Sequence, residues 1–252
     1  MIIKTKSFQL AINTKGNPNS ERLAIVLPGR LDTKDYECFN EHLEYLSNKG
    51  FYAISLDPPG TWESPGGIEL FSTTNYIKAV SELIEYYGSK QTLLLGHSRG
   101  AAVAILAGSD NLNVLGLVLI NPSLGAPTPP DDETLKTGVY VDYRDMPPGT
   151  KNTEQKKKFE MSLNYFEDGA TYNDAEVLKL CIKPKIIFYS THDEFNTPKE
   201  VKEIFISISE PKELHSINCT HDYRLHPEVV EEINKKVGTF IDTHLSHFHP
   251  RE

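Results

Sequence analysis

The sequence predicts an α/β fold with a mostly parallel central sheet and helices on both faces. Two observations support this prediction. Short continuous apolar runs alternate along the chain with stretches that carry apolar residues at helical spacing. The apolar runs show no polar alternation, which is typical of strands buried on both faces in a parallel sheet. With 252 residues, of which 38% are hydrophobic, the chain is long enough to bury a sizeable core.

The first half of the chain holds four of the predicted strands and three of the predicted helices. Pro28 and Gly29 end the first strand, and Gly50 and Gly88 follow the first two helices as C-caps. The predicted strands are 23–27, 51–56, 92–95 and 114–120, and the predicted helices are about 35–49, 73–87 and 99–107.

The alternation breaks between Pro122 and about Ala175, where six prolines occur. We predict one helix near 153–166 there, with Lys156, Lys157 and Lys158 on its solvated face, and no obvious sheet strands. The alternation then resumes with strands at 186–189 and 213–217 and helices at 198–208 and 227–245. Because neither half of the sheet would close alone, we predict one domain, 1–252, with a short cap inserted at about 122–175.

Composition excludes several classes of protein. The chain carries 26 Lys+Arg against 35 Asp+Glu, a net charge of −9, and its pI is about 5.5. This balance argues against nucleic acid and anionic membranes as partners. The three cysteines show no C-x-x-C spacing, so neither a disulfide framework nor a thiolate zinc site is expected. Because we find no signal-peptide core and no run of about 18 apolar residues, we expect a cytoplasmic protein.

One motif carries a chemical prediction. Residues 96–100 read G-x-S-x-G, directly after a predicted strand and before a predicted helix. This is the setting of a nucleophile elbow, whose glycines permit a strained turn that exposes the serine. The following helix directs free N–H groups and a positive dipole end at a developing oxyanion. Ser98 is therefore the candidate nucleophile.

A serine nucleophile needs a base and an acid, which follow it along the chain in the order acid, then histidine. Asp193 lies in the loop after strand 186–189, and His221 lies in the loop before the last helix. We predict that Asp193 orients His221 and that His221 activates Ser98. Glu194, the next residue along, stays open as an alternative acid.

The other histidines have simpler interpretations. His226 is an alternative candidate base, but it adjoins Pro227 at the start of a helix, where it is expected to cap. His97 is expected to pack beneath the elbow, and His192 is expected to be a loop or supporting residue. Three histidines lie near the C-terminus: His244, His247 and His249. A metal site there is the weaker hypothesis, since a solvated tail is the usual structure of such a segment. The sequence has no phosphate-binding glycine motif, so we do not expect nucleotide chemistry. The proposed use of a serine nucleophile needs neither a metal nor an organic cofactor, and we expect none.

Attack by a serine on a carbonyl also needs backbone N–H donors for the oxyanion that forms. The N–H of Arg99, directly after the nucleophile, is one candidate. The N–H of Arg30 is the other, on a loop that Gly29 lets approach closely. Trp62, the only tryptophan, lies on a loop at the strand ends and is a candidate wall of the substrate pocket.

These motifs resemble those of α/β-hydrolase-fold serine hydrolases, in particular the esterase, lysophospholipase and serine-aminopeptidase branch. The resemblance extends from about residue 20 to 245. Residues 96–100 resemble the family's nucleophile elbow. Residues 57–64 resemble its D-x-x-G-x-G-x-S loop, with Trp62 in place of the second glycine. Residues 221–229 resemble the segment that carries its catalytic histidine. Pro28-Gly29 stands where the family has His-Gly, a change that keeps the backbone donor.

The resemblance and the residues together imply a serine hydrolase. Ser98 would form an acyl-enzyme, with His221 as base, Asp193 as orienting acid, and the N–H groups of Arg30 and Arg99 holding the oxyanion. We expect a small-molecule acyl substrate, first of all a carboxylic ester of modest size. An amide or thioester would use the same residues, and a non-catalytic ligand-binding module on this fold is the hypothesis from another class. The sequence leaves the oligomeric state open.

Overall fold

The computed structural model describes residues 1–124 and 128–245. The strands in these residues are β1 Ile2–Lys4, β2 Gln9–Lys15, β3 Arg22–Leu27, β4 Tyr52–Leu56, β5 Gln91–His97, β6 Val114–Ile120, β7 Val139–Asp145, β8 Lys156–Ser162, β9 Lys185–Ser190 and β10 Lys212–Ile217. The α-helices are α1 Glu37–Asn48, α2 Thr73–Tyr86, α3 Arg99–Gly108, α4 Asp132–Thr137, α5 Asn164–Gly169, α6 Asp174–Leu180, α7 Pro198–Ser207 and α8 Pro227–His244. Short 3₁₀ helices occupy Ile68–Leu70 and Tyr223–Leu225.

Eight of the strands form one sheet in the order β1-β2-β4-β3-β5-β6-β9-β10. Along this order, all neighbouring strands from β4 to the β10 edge are parallel. β2 is antiparallel to both of its neighbours, β1 and β4. The predicted fold class is therefore confirmed. The carboxyl ends of β5, β9 and β10 lie along one edge of the sheet, so the loops that follow these strands meet there.

Helices cover both faces of the sheet, because successive residues of a strand face opposite sides. Ile25 on β3 packs into the layer that includes Leu83 of α2 and Val103 of α3. Val26, the next residue, packs into the opposite layer, which includes Phe39 of α1 and Phe240 of α8. Both layers are apolar, which explains why the central strands show no polar alternation. Among the helices described, none has the length and apolar character of a membrane span.

The two N-terminal strands were not expected from the sequence. β1 has three residues, and β2 ends in polar residues. β2 nevertheless pairs with β4, with Ile12 opposite Leu56, and Leu10 and Ile12 are fully buried. The pairing between distant segments, and not the local pattern, makes β2 part of the sheet.

The predicted helix near 153–166 is wrong. β7 and β8 form a separate antiparallel hairpin, here called the cap hairpin, with Tyr143 opposite Lys158. Phe159 and Met161 are buried and alternate with exposed residues, which is the two-residue period of a strand. Lys156 and Lys158 are consequently exposed on a strand, and Lys157, between them, lies over the ring of Trp62.

Candidate active site

Ser98 lies at a sharp turn between β5 and α3. Its φ of 50° and ψ of −117° fall outside the regions that most residues adopt. The Ser98 N–H donates to the Ile120 carbonyl at 2.9 Å, which ties the turn to β6. A Cβ on Gly100 would collide with the carbonyls of Leu27 and Pro28. The start of α3 can therefore lie directly against the loop that follows β3.

Three polar side chains from three loops form one hydrogen-bonded chain. Ser98 Oγ lies 2.8 Å from His221 Nε2, and His221 Nδ1 lies 2.9 Å from Asp193 Oδ2. Asp193 follows β9 and His221 follows β10, so the parallel sheet delivers all three residues to the same edge. The ring of Phe195 packs edge-on against the His221 ring, with 4.7 Å between centroids, while most of its surface is exposed.

The Asp193 carboxylate is buried and well supported. Its side chain is 3% exposed, and its Oδ1 accepts the N–H groups of Phe195 at 2.8 Å and Asn196 at 3.1 Å. Burial by itself raises the pKa of Asp193, but the hydrogen bond and charge of His221, with these two N–H donors, bring it below the ordinary value. Asp193 is therefore ionised at neutral pH and accepts a hydrogen bond from the N–H of His221 Nδ1.

Glu194 and His97 support the loop that carries His221. The Glu194 carboxylate accepts the backbone N–H of His221 at 2.9 Å, whereas the His221 ring bonds to Asp193. His97 is buried; its Nε2 donates to the His221 carbonyl at 3.1 Å and its Nδ1 lies 3.4 Å from Asp32 Oδ2.

The other histidines among the described residues lie outside this hydrogen-bonded chain. His226 is the N-cap residue of α8, without a side-chain cap hydrogen bond. His192 is on an exposed loop and contacts Thr191 Oγ1. His244 pairs with Glu213 at 2.9 Å, whereas His247 and His249 fall outside the described residues, so the alternative of a C-terminal metal site stays untested.

The loop after β3, residues 28–34, is here called the oxyanion loop, after the role predicted for the Arg30 N–H. It lies beside the elbow because β3 pairs with β5, with Leu27 opposite Gly96. A Cβ on Gly29 would lie 2.7 Å from Asp32 Oδ2 and 3.0 Å from His97 Nδ1, so this close approach requires glycine. In the described residues, the backbone N–H groups of Arg30 and Arg99 donate to no protein acceptor. Both are therefore available to a ligand oxygen.

The side chains of Arg30 and Arg99 contact the cap hairpin and α5, respectively. Arg30 forms an ion pair with Asp142 of β7 at 3.2 Å and lies over the Tyr140 ring. Arg99 donates to Thr73 Oγ1 and Tyr165 Oη, both at 3.2 Å. These contacts attach the cap hairpin and α5 to the two segments that carry the candidate oxyanion donors.

Trp62 contacts the oxyanion loop. Its indole N–H donates to the Leu31 carbonyl at 2.7 Å, and its ring packs edge-on against Phe159. The ammonium of Lys157 lies 4.8 Å from the centre of the Trp62 ring. Trp62 thus joins the oxyanion loop to the cap hairpin, a role that the sequence did not indicate. Its role as a wall of the substrate pocket stays a prediction.

A cluster of three carboxylates lies behind the oxyanion loop: Asp35, Asp57 and Glu63. The buried ammonium of Lys34 lies among them, 2.7 Å from Asp35, 3.5 Å from Asp57 and 2.7 Å from Glu63. The lysine supplies the positive charge that such a cluster needs. We therefore interpret the cluster as an ionic anchor of the loop and not as a metal site.

Comparison with known proteins identifies the fold independently. Residues 25–160 match the family model described as alpha/beta hydrolase fold. No curated protein matches the sequence.

Solved structures share the architecture at low sequence identity. Est1E from Butyrivibrio proteoclasticus, solved with ferulic acid bound, is 19% identical with a TM-score of 0.76, over 98% of this chain and 99% of that one. A monoacylglycerol lipase from Paleococcus ferrophilus is 18% identical with a TM-score of 0.73, over 93% and 99%. The esterase Pf2001 from Pyrococcus furiosus is 18% identical with a TM-score of 0.70, over 98% and 92%.

Proposed function

The chain belongs to the alpha/beta hydrolase fold family, and we propose that it is a serine hydrolase that cleaves carboxylic esters through an acyl-enzyme. The observation that carries this proposal is the hydrogen-bonded chain from Asp193 through His221 to Ser98, with Ser98 on a strained turn. A serine in this arrangement has a base within 2.8 Å of its hydroxyl, which is the geometry that proton transfer requires.

The proposed reaction has two halves. Ser98 Oγ attacks the ester carbonyl while His221 Nε2 accepts the hydroxyl proton, and Asp193 stabilises the imidazolium that forms. Collapse of the tetrahedral intermediate breaks the C–O bond, and the alcohol leaves with the proton from His221. Water then attacks the acyl-enzyme with His221 as base, releasing the acid and regenerating Ser98.

The backbone N–H groups of Arg30 and Arg99 are the proposed donors to the oxyanion. Their availability and the contact between Gly100 and the oxyanion loop support this assignment. Donors already fixed in place stabilise the developing charge without reorganisation, and the loss of one donor typically lowers kcat by about 10²- to 10³-fold.

We infer a small acyl substrate with an apolar or aromatic group. The largely exposed ring of Phe195 borders His221 and offers an apolar surface beside the reacting atoms. The neighbours named as an esterase and as a monoacylglycerol lipase favour an ester over an amide.

The test of this function is labelling with a serine-directed fluorophosphonate. We expect labelling of the wild-type protein, none of Ser98→Ala, and strongly reduced labelling of His221→Ala. Ser81→Ala, on α2, and His226→Ala are the matched controls and should label like the wild type. An unlabelled wild type, or equal labelling of Ser98→Ala, would contradict the proposal.

The bond that is cleaved follows from a substrate panel. We expect p-nitrophenyl esters of graded acyl length to be hydrolysed with higher kcat/KM than the matching thioesters or p-nitroanilides. Faster cleavage of a thioester or an anilide would assign the other reaction to the same residues. Saturable binding without turnover would instead indicate the ligand-binding module.

A further inference from the structure

The oxyanion loop is held by a side chain from outside the loop. We propose that Arg144, on the cap hairpin, is a positioning residue that fixes the oxyanion loop and thereby couples the cap to catalysis. This inference rests on the proposed function, since it concerns the N–H donor of Arg30.

Arg144 contacts the loop at the residue that carries the donor. Its Nε donates to the Arg30 carbonyl at 2.8 Å. The preceding carbonyl, that of Gly29, accepts the Asp32 N–H at 3.2 Å. A trans peptide is planar, with its C=O and N–H on opposite sides, so the Gly29 carbonyl sets the direction of the Arg30 N–H. With Arg144 on the next carbonyl, both peptide planes that flank Arg30 are fixed.

The loop needs such support because its backbone is strained. Leu31 has a φ of 60°, in the left-handed region that residues with a side chain seldom adopt. Trp62 Nε1 holds the Leu31 carbonyl at 2.7 Å. Strained residues persist only where their surroundings hold them, and they concentrate at functional sites. Two side-chain donors on consecutive carbonyls, 30 and 31, supply that restraint.

Arg144 also links the oxyanion loop to the segment that carries the base. Its Nε lies 3.7 Å from Asp32 Oδ1, and the other oxygen of Asp32 lies 3.4 Å from His97 Nδ1. His97 in turn donates to the His221 carbonyl at 3.1 Å. Arg144 thus contacts a series of side chains, Asp32 and His97, that connects the oxyanion loop to the segment of the base, His221.

Arg144 is itself held rigidly. Its guanidinium forms an ion pair with Asp142 at 3.2 Å. The next residue, Asp145, accepts Arg224 Nη2 on Oδ2 at 2.7 Å and Tyr36 Oη on its carbonyl at 2.8 Å. Asp145 and Arg224 are nearly fully buried. The end of β7 is therefore anchored to the body of the protein, and Arg144 has a fixed position from which to hold the loop.

The experiment replaces Arg144 and separates kcat from KM. Arg144→Met keeps the length of the apolar stem and removes the donor, so we expect kcat for a p-nitrophenyl ester to fall about 10- to 100-fold while KM changes less than about 2-fold. Arg144→Lys keeps a charge without the planar donor, and its kcat should fall about 3- to 10-fold. The control, Lys158→Met, removes an exposed cation from the same hairpin and should retain wild-type kcat.

The outcomes separate this inference from the proposed function. Activity and fluorophosphonate labelling of the wild type test the proposed function, and their absence overturns both. With an active wild type, wild-type kcat in Arg144→Met overturns the inference alone, including where only the melting temperature falls. If Arg144→Met does not fold, Arg144→Lys decides: a lower kcat at unchanged melting temperature supports the inference, and an unchanged kcat overturns it.

Discussion

At the residue scale, two adjacent carboxylates have different partners. Asp193 bonds to the ring of His221, and Glu194 bonds to the backbone N–H of the same residue. A shift of one position along the loop would exchange them, so the sequence left both open as the acid. The side-chain directions in the folded loop distinguish them.

This difference predicts that kcat is much more sensitive to a change of Asp193 than to a change of Glu194. In Asp193→Asn, the amide oxygen should keep the two backbone donors that Oδ1 now accepts, so the NH₂ would face His221 Nδ1. The ring would then adopt the wrong tautomer, and kcat should fall about 10³- to 10⁴-fold. Glu194→Gln keeps an acceptor for the His221 N–H, and its kcat should fall less than about 10-fold. Ester hydrolysis at neutral pH checks both, and a larger loss in Glu194→Gln would assign the acid to Glu194.

At the element scale, a buried histidine connects α1 to α8 and to the 3₁₀ helix Tyr223–Leu225. Asn234 Oδ1 only accepts, so His42 Nδ1 donates to it at 2.6 Å, and His42 Nε2 accepts the Tyr223 hydroxyl at 2.9 Å. The neutral ring satisfies both partners. Burial lowers the pKa of His42 from 6.5 to about 4, although the hydrogen bond to Asn234 acts in the opposite direction.

The lowered pKa of His42 predicts a pH dependence of stability. Between about pH 6.5 and 4 the unfolded chain binds a proton that the folded protein does not bind. The free energy of unfolding should therefore fall as the pH decreases through this window, by about 2 to 3 kcal/mol between pH 7 and 4.5. Urea unfolding at several pH values measures this loss. His42→Gln should lose less over the same range, and an equal loss in the variant would exclude His42 as its source.

At the scale of the whole molecule, the sheet depends on an N-terminal strand, β2, that runs against its main direction. β2 covers the edge of β4, and Ile12 of β2 is fully buried in the layer under α2 and α3. Ile2 of β1 is 56% exposed. The same residue type therefore occurs at a core position and at a surface position within twelve residues.

The matched pair gives a stability prediction. Ile12→Ala should lower the free energy of unfolding by about 3 kcal/mol, because it removes a buried side chain and leaves a cavity. Ile2→Ala should change it by less than about 0.5 kcal/mol. Denaturant unfolding of both variants measures the difference, and similar effects of the two changes would contradict the placement of Ile12 in the core.

Local patterns were sufficient for the parallel core and for the loops that follow its strands. β3, β5 and β6 are buried on both faces, so each contains apolar residues in succession without polar alternation. The same patterns failed for β8, where Phe159 and Met161 alternate over only a few residues and were included in a predicted helix. When apolar and polar residues alternate over only a few positions next to the start of a helix, the segment can be a strand or part of the helix, and only the pairing with a partner strand distinguishes the two.

The sequence by itself determined which segments form the parallel strands and that Ser98, Asp193 and His221 follow three of them, because strand patterns and turn residues are local properties. Only the tertiary structure decided which carboxylate meets His221 and that Arg144 and Trp62 hold the oxyanion loop. Arg144 lies 114 residues from the carbonyl that it holds. Such contacts depend on how distant segments pack and on where each side chain points, which no local pattern specifies.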